Sequence, residues 1–215
     1  MKLKSFGCSF IFGTELSDIT NRTKKYSQLT WPALIAQRQG LQYSCYANAG
    51  SGNLQILNNV LDQVAQHSAD DVYVINWTFV NRWDYTYAGN NQWHSIRPWD
   101  THDRAEFYYR HFHAEYTDKL NNLIWTNCAV QALQAAGAKF CMTYMDSLLF
   151  DSRWNVSPGI EQLQQQVRPH LHLFDGENFV EWSQRNGHAI GPKEHHPLEQ
   201  AHAAAADYLL DHRLV

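Results

Sequence analysis

Short runs of apolar, β-branched and aromatic residues alternate along the chain with segments whose apolar positions recur every three or four residues. Parallel strands joined by crossover helices produce this alternation. The runs predict strands at Lys2 to Phe6, Leu41 to Ala47, Asp71 to Thr78 and Lys139 to Met145, with His170 to Phe174 a weaker fifth. Between the second and third, Leu54, Leu57, Val60, Leu61 and Val64 share one face of a helix. Arg104 to Ala136 holds no Pro or Gly and predicts one long helix or two joined ones, with Leu120, Leu123, Ile124 and Cys128 on its buried stripe. Pro197 suits the first position of a last helix whose apolar face is Leu198, Ala201, Ala205, Tyr208 and Leu209. The element order implies one three-layer α/β/α domain over residues 1–215, flavodoxin-like, with a parallel sheet of about five strands.

One long stretch, Asn81 to Asp103, fits neither period and reads as irregular. It holds Trp83, Tyr85, Tyr87, Trp93 and Trp99 around Gly89, Asn90 and Asn91. Loops of this length are often functional. Arg82, Trp83, Trp93 and Trp99 are the candidate substrate contacts, since Trp and Tyr rings offer a flat apolar face for a sugar or an acyl chain. The same rings would equally serve to pack the loop onto the long helix.

Composition narrows the classes. Apolar residues make up 44% and charged residues 18% of 215, enough to build a core and unlike a disordered chain. The net charge of −4, with no basic cluster denser than Arg22, Lys24 and Lys25, argues against a nucleic-acid partner. No apolar run reaches membrane-spanning length, and the opening MKLKSFGCSFIFG reads as a first strand rather than a signal peptide or a span, so no membrane partner is expected. Cys8, Cys45, Cys128 and Cys141 form no C-x-x-C pair, and reduced thiols in a cytoplasmic protein are the expectation. The 12 histidines include His111 with His113, His170 with His172, and His195 with His196, yet no zinc spacing joins them, so no metal or cofactor is expected.

In open α/β sheets ligands bind beyond the carboxyl ends of the strands, so chemistry is sought just after each strand. After the first stands Gly7-Cys8-Ser9-Phe10, a tight turn that would lift a serine hydroxyl to the top of the sheet, where it is a turn or cap residue unless a base is near. After the second, Asn48-Ala49-Gly50-Ser51-Gly52-Asn53 leads into a helix, and a glycine N–H beside a helix N-terminus suits an oxyanion as well as a plain turn. Before the last helix, His195-His196-Pro197 could return a histidine over the sheet as a general base, with Glu194 to orient its ring or to sit solvated in the first turn.

Taken together, Gly7-Cys8-Ser9-Phe10, Asn48 to Asn53, Trp77-Thr78 with Arg82, and His196-Pro197 resemble the SGNH (GDSL-type) hydrolases, with the likeness spread from one end of the chain to the other. The resemblance implies a serine esterase in which Ser9 is the nucleophile and His196 the base. It implies an oxyanion hole from the N–H groups of Ser9 and of Gly50 or Gly52, with a third donor from Thr78 or Asn81, because the usual Gly-x-Asn-Asp is absent after the third strand. The acidic residue usually lies three positions before the histidine, where this chain has Lys193. A Ser-His dyad and a triad completed by Glu194 both stay open. The implied substrate is a small-molecule or carbohydrate ester, such as an O-acetyl group on a sugar. Two other outcomes use the same fold, a non-catalytic binding module and an O-acyltransferase. Oligomeric state is not legible.

Overall fold

The computed structural model describes residues 1–19 and 25–215, so Arg22 and Lys24 lie outside the described residues. Five strands form one parallel sheet in the order β2-β1-β3-β6-β7. They are β1 (Lys2–Phe6), β2 (Gln42–Cys45), β3 (Asp71–Trp77), β6 (Lys139–Tyr144) and β7 (Leu171–His172). Every residue of central β3 is buried, as a strand covered on both faces must be.

Alternation along the strands splits the core into two. On one face Leu3, Val74 and Cys141 meet α1 (Ser9–Phe12), α2 (Trp31–Arg38), α7 (Phe179–Arg185) and α8 (Glu199–Asp211) through Phe10, Trp31, Ile35, Phe179 and Ala205. On the other, Phe6, Tyr73, Ile75, Trp77 and Met142 meet α3 (Asn53–Val64), α5 (Glu115–Ala135) and α6 (Pro158–Val167) through Ile56, Val60, Leu123, Val130 and Ile160. This is the expected three-layer α/β/α arrangement. Each large side chain so buried contributes about 1.5–3 kcal/mol relative to exposure.

Four expectations change. The stretch 81–103 is not wholly irregular: β4 (Trp83–Thr86) and β5 (Trp93–Ile96) pair as an antiparallel hairpin, followed by α4 (Asp103–His111). The long helical segment takes the second of its two expected forms, the helices α4 and α5, but the buried stripe of α5 is rotated from the expected one, of which Leu123 stays buried. Ile124 is 44% exposed and Cys128 is exposed, while Lys119, Asn122 and Thr126 are buried. Hydrophobicity could not find that stripe because its first half is polar. The Lys119 ammonium donates to Asp151 O (2.8 Å), Arg153 O (2.5 Å) and Asn155 Oδ1 (2.7 Å), and Asn122 Nδ2 donates to Val80 O (3.0 Å). The last helix begins at Glu199, with Pro197 still extended in a bridge to Ile190. Strand β7 is only two residues long, because His170 closes a 3-10 turn and Phe174 bridges back to Glu177.

His202 of α8 shows how a histidine can be part of the core. Its Nδ1 accepts the Trp31 N–H at 3.1 Å and its ring packs on Phe179. Burial pushes its pKa down from 6.5 to about 3, so it stays neutral in the fold. The unfolded chain takes up a proton here that the folded chain refuses, so stability falls as pH drops from 6.5 towards 3, by at most about 1.4 kcal/mol per unit. In His202→Asn, whose Oδ1 can still accept from Trp31, the dependence of unfolding free energy on pH between 6.5 and 4 should be shallower, as measured by urea titration at each pH.

Candidate active site

Strand order reverses between β1 and β3, whose following segments leave the sheet on opposite faces. That switch point opens a crevice at the carboxyl ends. The turn after β1 places Ser9 as the first residue of α1, and the turn 189–198 brings His196 across the same crevice. Ser9 Oγ lies 2.7 Å from His196 Nε2, and His196 Nδ1 lies 3.1 Å from Glu15 Oε2. With Nδ1 protonated, the ring donates to Glu15 and its Nε2 accepts the Ser9 hydroxyl, the tautomer a proton-accepting base needs. The ring is also held edge-on by Phe10.

The carboxylate behind His196 is therefore Glu15. Glu194, the expected orienter, is 61% exposed and stands 3.8 Å from Nδ1. Glu15 lies just after α1, in a left-handed conformation (φ 72°) that is uncommon outside glycine. Its oxygens accept the N–H groups of Lys193 (2.9 Å), Glu194 (3.1 Å) and His196 (3.2 Å) as well as the ring. Desolvation raises its pKa, but the Lys193 N–H, the His196 ring and the other two N–H groups outweigh it and hold the carboxyl below its ordinary value. No local signal links residue 15 to residue 196. The one clue is Gly191, where a Cβ would sit 2.5 Å from the Glu15 carboxylate.

Gly50 is left-handed (φ 82°) in the turn after β2 and shares with Ser9 a cavity of about 580 Å³. Among the described residues, neither the Ser9 nor the Gly50 N–H is taken by a protein acceptor. Gly52 is different. Its N–H donates to Asp84 Oδ1 at 2.8 Å, and the other Asp84 oxygen takes the Gln55 N–H at 2.8 Å, so β4 caps the start of α3 and Gly52 has no donor to offer. Burial raises the Asp84 pKa despite these bonds.

Thr78 and Asn81 do not line the cavity. Thr78 is fully buried, with its N–H on Asn53 Oδ1 (2.8 Å) and its carbonyl accepting from Asn53 Nδ2 (3.0 Å). The Asn81 carbonyl accepts from Tyr109, and its side-chain oxygen is buried without a partner. From that segment Phe79 and Arg82 reach the cavity instead. Of the aromatic candidates Trp99 lines it, Trp93 lies in a neighbouring hollow beside Gly50, and Trp83 stacks on Tyr85 and Tyr108 towards α4. Among the described residues no three histidine, cysteine or acidic side chains converge as a metal set; His113 pairs with Asp118, and His170 meets Gln134.

No protein-family profile matches the sequence, and no curated protein sequence matches it. Solved structures do. The esterase EstA from Pseudoalteromonas sp. superposes with a TM-score of 0.57 at 12% identity, over 98% of this chain and 94% of that one. A protein assigned to the lipolytic G-D-S-L family from Desulfitobacterium hafniense DCB-2 gives 0.50 at 9% identity, over 100% and 99%. The acetyl xylan esterase Est2A from Butyrivibrio proteoclasticus gives 0.52 at 11%, over 98% of this chain and 63% of that one. The chain has the SGNH (GDSL-type) hydrolase fold. At such identities the likeness is one of fold, and within the SGNH fold the arrangement of Ser9, His196 and Glu15 is this chain's own geometry.

Because Gly191 leaves room for the Glu15 carboxylate, Gly191→Ala should force the turn 191–196 away from it and cost about 1–3 kcal/mol of stability. A fall in the urea unfolding midpoint, with the slope unchanged, is the result to look for.

Proposed function

We propose that this protein is a serine esterase that hydrolyses a small acyl ester. The observation that carries the reading is the 2.7 Å contact between Ser9 Oγ and His196 Nε2, backed by Glu15 on the other ring nitrogen. A fold of this kind needs no hydrogen-bonded serine, histidine and carboxylate at its crevice, whereas acyl transfer does.

In the reaction, His196 Nε2 takes the Ser9 proton as the oxygen attacks the ester carbonyl carbon. The developing oxyanion is received by the N–H groups of Ser9 and Gly50, two residues of the cavity wall whose N–H groups have no protein acceptor among the described residues. The bond to the alcohol oxygen breaks as His196 returns the proton to it. Water, deprotonated by the same ring, then attacks the acyl-serine, the Ser9–acyl bond breaks as His196 returns that proton to Ser9 Oγ, and the acid leaves. Glu15 keeps its negative charge throughout, fixing the tautomer and stabilising the imidazolium, and Glu194 has no part. A small acyl group on a carbohydrate, such as an acetate, is the substrate we propose, a reading supported by the carbohydrate and acetyl xylan esterases among the similar structures.

Intact mass after treatment with a fluorophosphonate tests this directly. The wild-type protein should gain one adduct, and Ser9→Ala and His196→Ala should gain none; a folded wild type without adduct would sink the proposal. On a short-chain ester, Ser9→Ala or His196→Ala should lower kcat by roughly 10⁴ or more. Glu15→Gln should lower it by roughly 10²–10⁴, since the wrong tautomer is then favoured, while Glu194→Gln stays within about tenfold.

A further inference from the structure

Arg82 is only 6% exposed, yet its guanidinium lies on the wall of the Ser9 cavity. Its Nη1 donates to Ser51 O at 3.0 Å, while its Nε is buried with no protein partner. Among the described residues no carboxylate forms an ion pair with it. Asp84 feels its charge, but the Asp84 oxygens are committed to Gly52, Gln55 and Ser95. The rings of Phe79 and Trp99 cover the guanidinium at 5.5 and 5.7 Å from their centres, and bring no counter-charge. A buried cation left this way is costly unless something else completes its pairing.

A second guanidinium stands nearby. Arg97 packs on the same Trp99 ring at 5.6 Å, and a Cβ on Gly50 would lie 3.7 Å from its Nη1, so it reaches the lip of the cavity next to the oxyanion donor. Asp100 pairs with Arg97 through Nη2 at 2.9 Å and Nε at 3.1 Å. The wall also carries Lys193, and its one acid is the exposed Glu194. Three cations, Arg82, Arg97 and Lys193, thus line the cavity against that one carboxylate, in a chain whose net charge is −4.

We propose that the site takes esters that carry an anionic group, a carboxylate or phosphate, bound by Arg82 and Arg97 beside the scissile bond. A planar guanidinium suits the paired oxygens of such a group, Arg97 adds Nη1, the nitrogen that Asp100 does not hold, and the Trp99 ring packs against both cations. The inference rests on the esterase reading and adds to it the charge of the substrate.

Two matched ester pairs test it. Monoethyl succinate against ethyl butyrate places the anion on the acyl part, and 3-acetoxybenzoate against phenyl acetate places it on the alcohol part. The quantity read is the ratio of kcat/KM for the anionic ester to that for its neutral mate, in wild type, Arg82→Gln, Arg82→Lys and Arg97→Gln. In at least one pair the wild type should favour the anion at least tenfold. Arg82→Gln should cut that ratio at least tenfold, with Arg82→Lys between the two and Arg97→Gln lowering it in part, and the pair that responds tells which side of the ester holds the anion. Arg82 also holds the Ser51 turn; should Arg82→Gln fail to fold by circular dichroism, Arg97→Gln, a residue on the rim, carries the test. A Ser9 adduct together with ratios that are the same in wild type and folded variants, or with no turnover of any of the four esters, overturns the charge assignment and leaves the serine reading standing. Absence of the adduct removes both.

Discussion

A carboxylate drawn out of water must have its lone pairs filled, and in this protein that requirement organises the active crevice. The Glu15 carboxylate collects three backbone N–H groups and one imidazole from the segment 193–196. Because three of the four donors are main chain, the turn cannot move without stranding a charge. His195 accepts a left-handed backbone (φ 58°) and Glu15 another, and both are held by that saturation. The ring of His196 is then oriented by default, with one nitrogen on Glu15 and the other on Ser9. A single side chain thus couples local backbone strain, the tautomer of a base and the direction of a serine hydroxyl.

The opposite wall follows a parallel logic. Asp84 in β4 satisfies N–H groups at the start of α3, and Arg82 holds the carbonyl of Ser51 in the same turn. The hairpin that carries these residues joins the sheet through no strand pairing of its own, since β4 pairs with β5 alone. It is fastened by charged side chains reaching into the glycine turn. The consequence is that the aromatic segment and the turn holding Gly50 are tied to each other beside the cavity.

What the sequence disclosed and what it hid divide along physical lines. The central strands and α3 were legible because burial on both faces of a sheet, or on one face of a helix, leaves a periodic trace. Ser9 and Gly50 were legible because strand ends in a parallel sheet converge, so position along the chain implies position in space, and His196 through the family resemblance that its His-Pro pair before the last helix helps to carry. Glu15 and Asp84 were hidden because what they bind is backbone, and backbone carries no sequence signature. Glu194 drew attention by being next to His196 in the chain, but at that spacing the turn sends its side chain to solvent. The stripe of α5 was misplaced for a related reason: Lys119 and Asn122 are buried to satisfy loop carbonyls, a demand that hydrophobicity does not record.

Ser9 and His196 are 187 residues apart in the chain. During synthesis at about 5–20 residues per second, the serine therefore exists for roughly 10–40 s before the ribosome has added its histidine. Throughout that interval the nascent protein carries an ordinary hydroxyl, chemically as inert as any surface serine. On the proposed mechanism its reactivity begins only after the last turn has folded back onto the first, so no partly made chain would cleave what surrounds it.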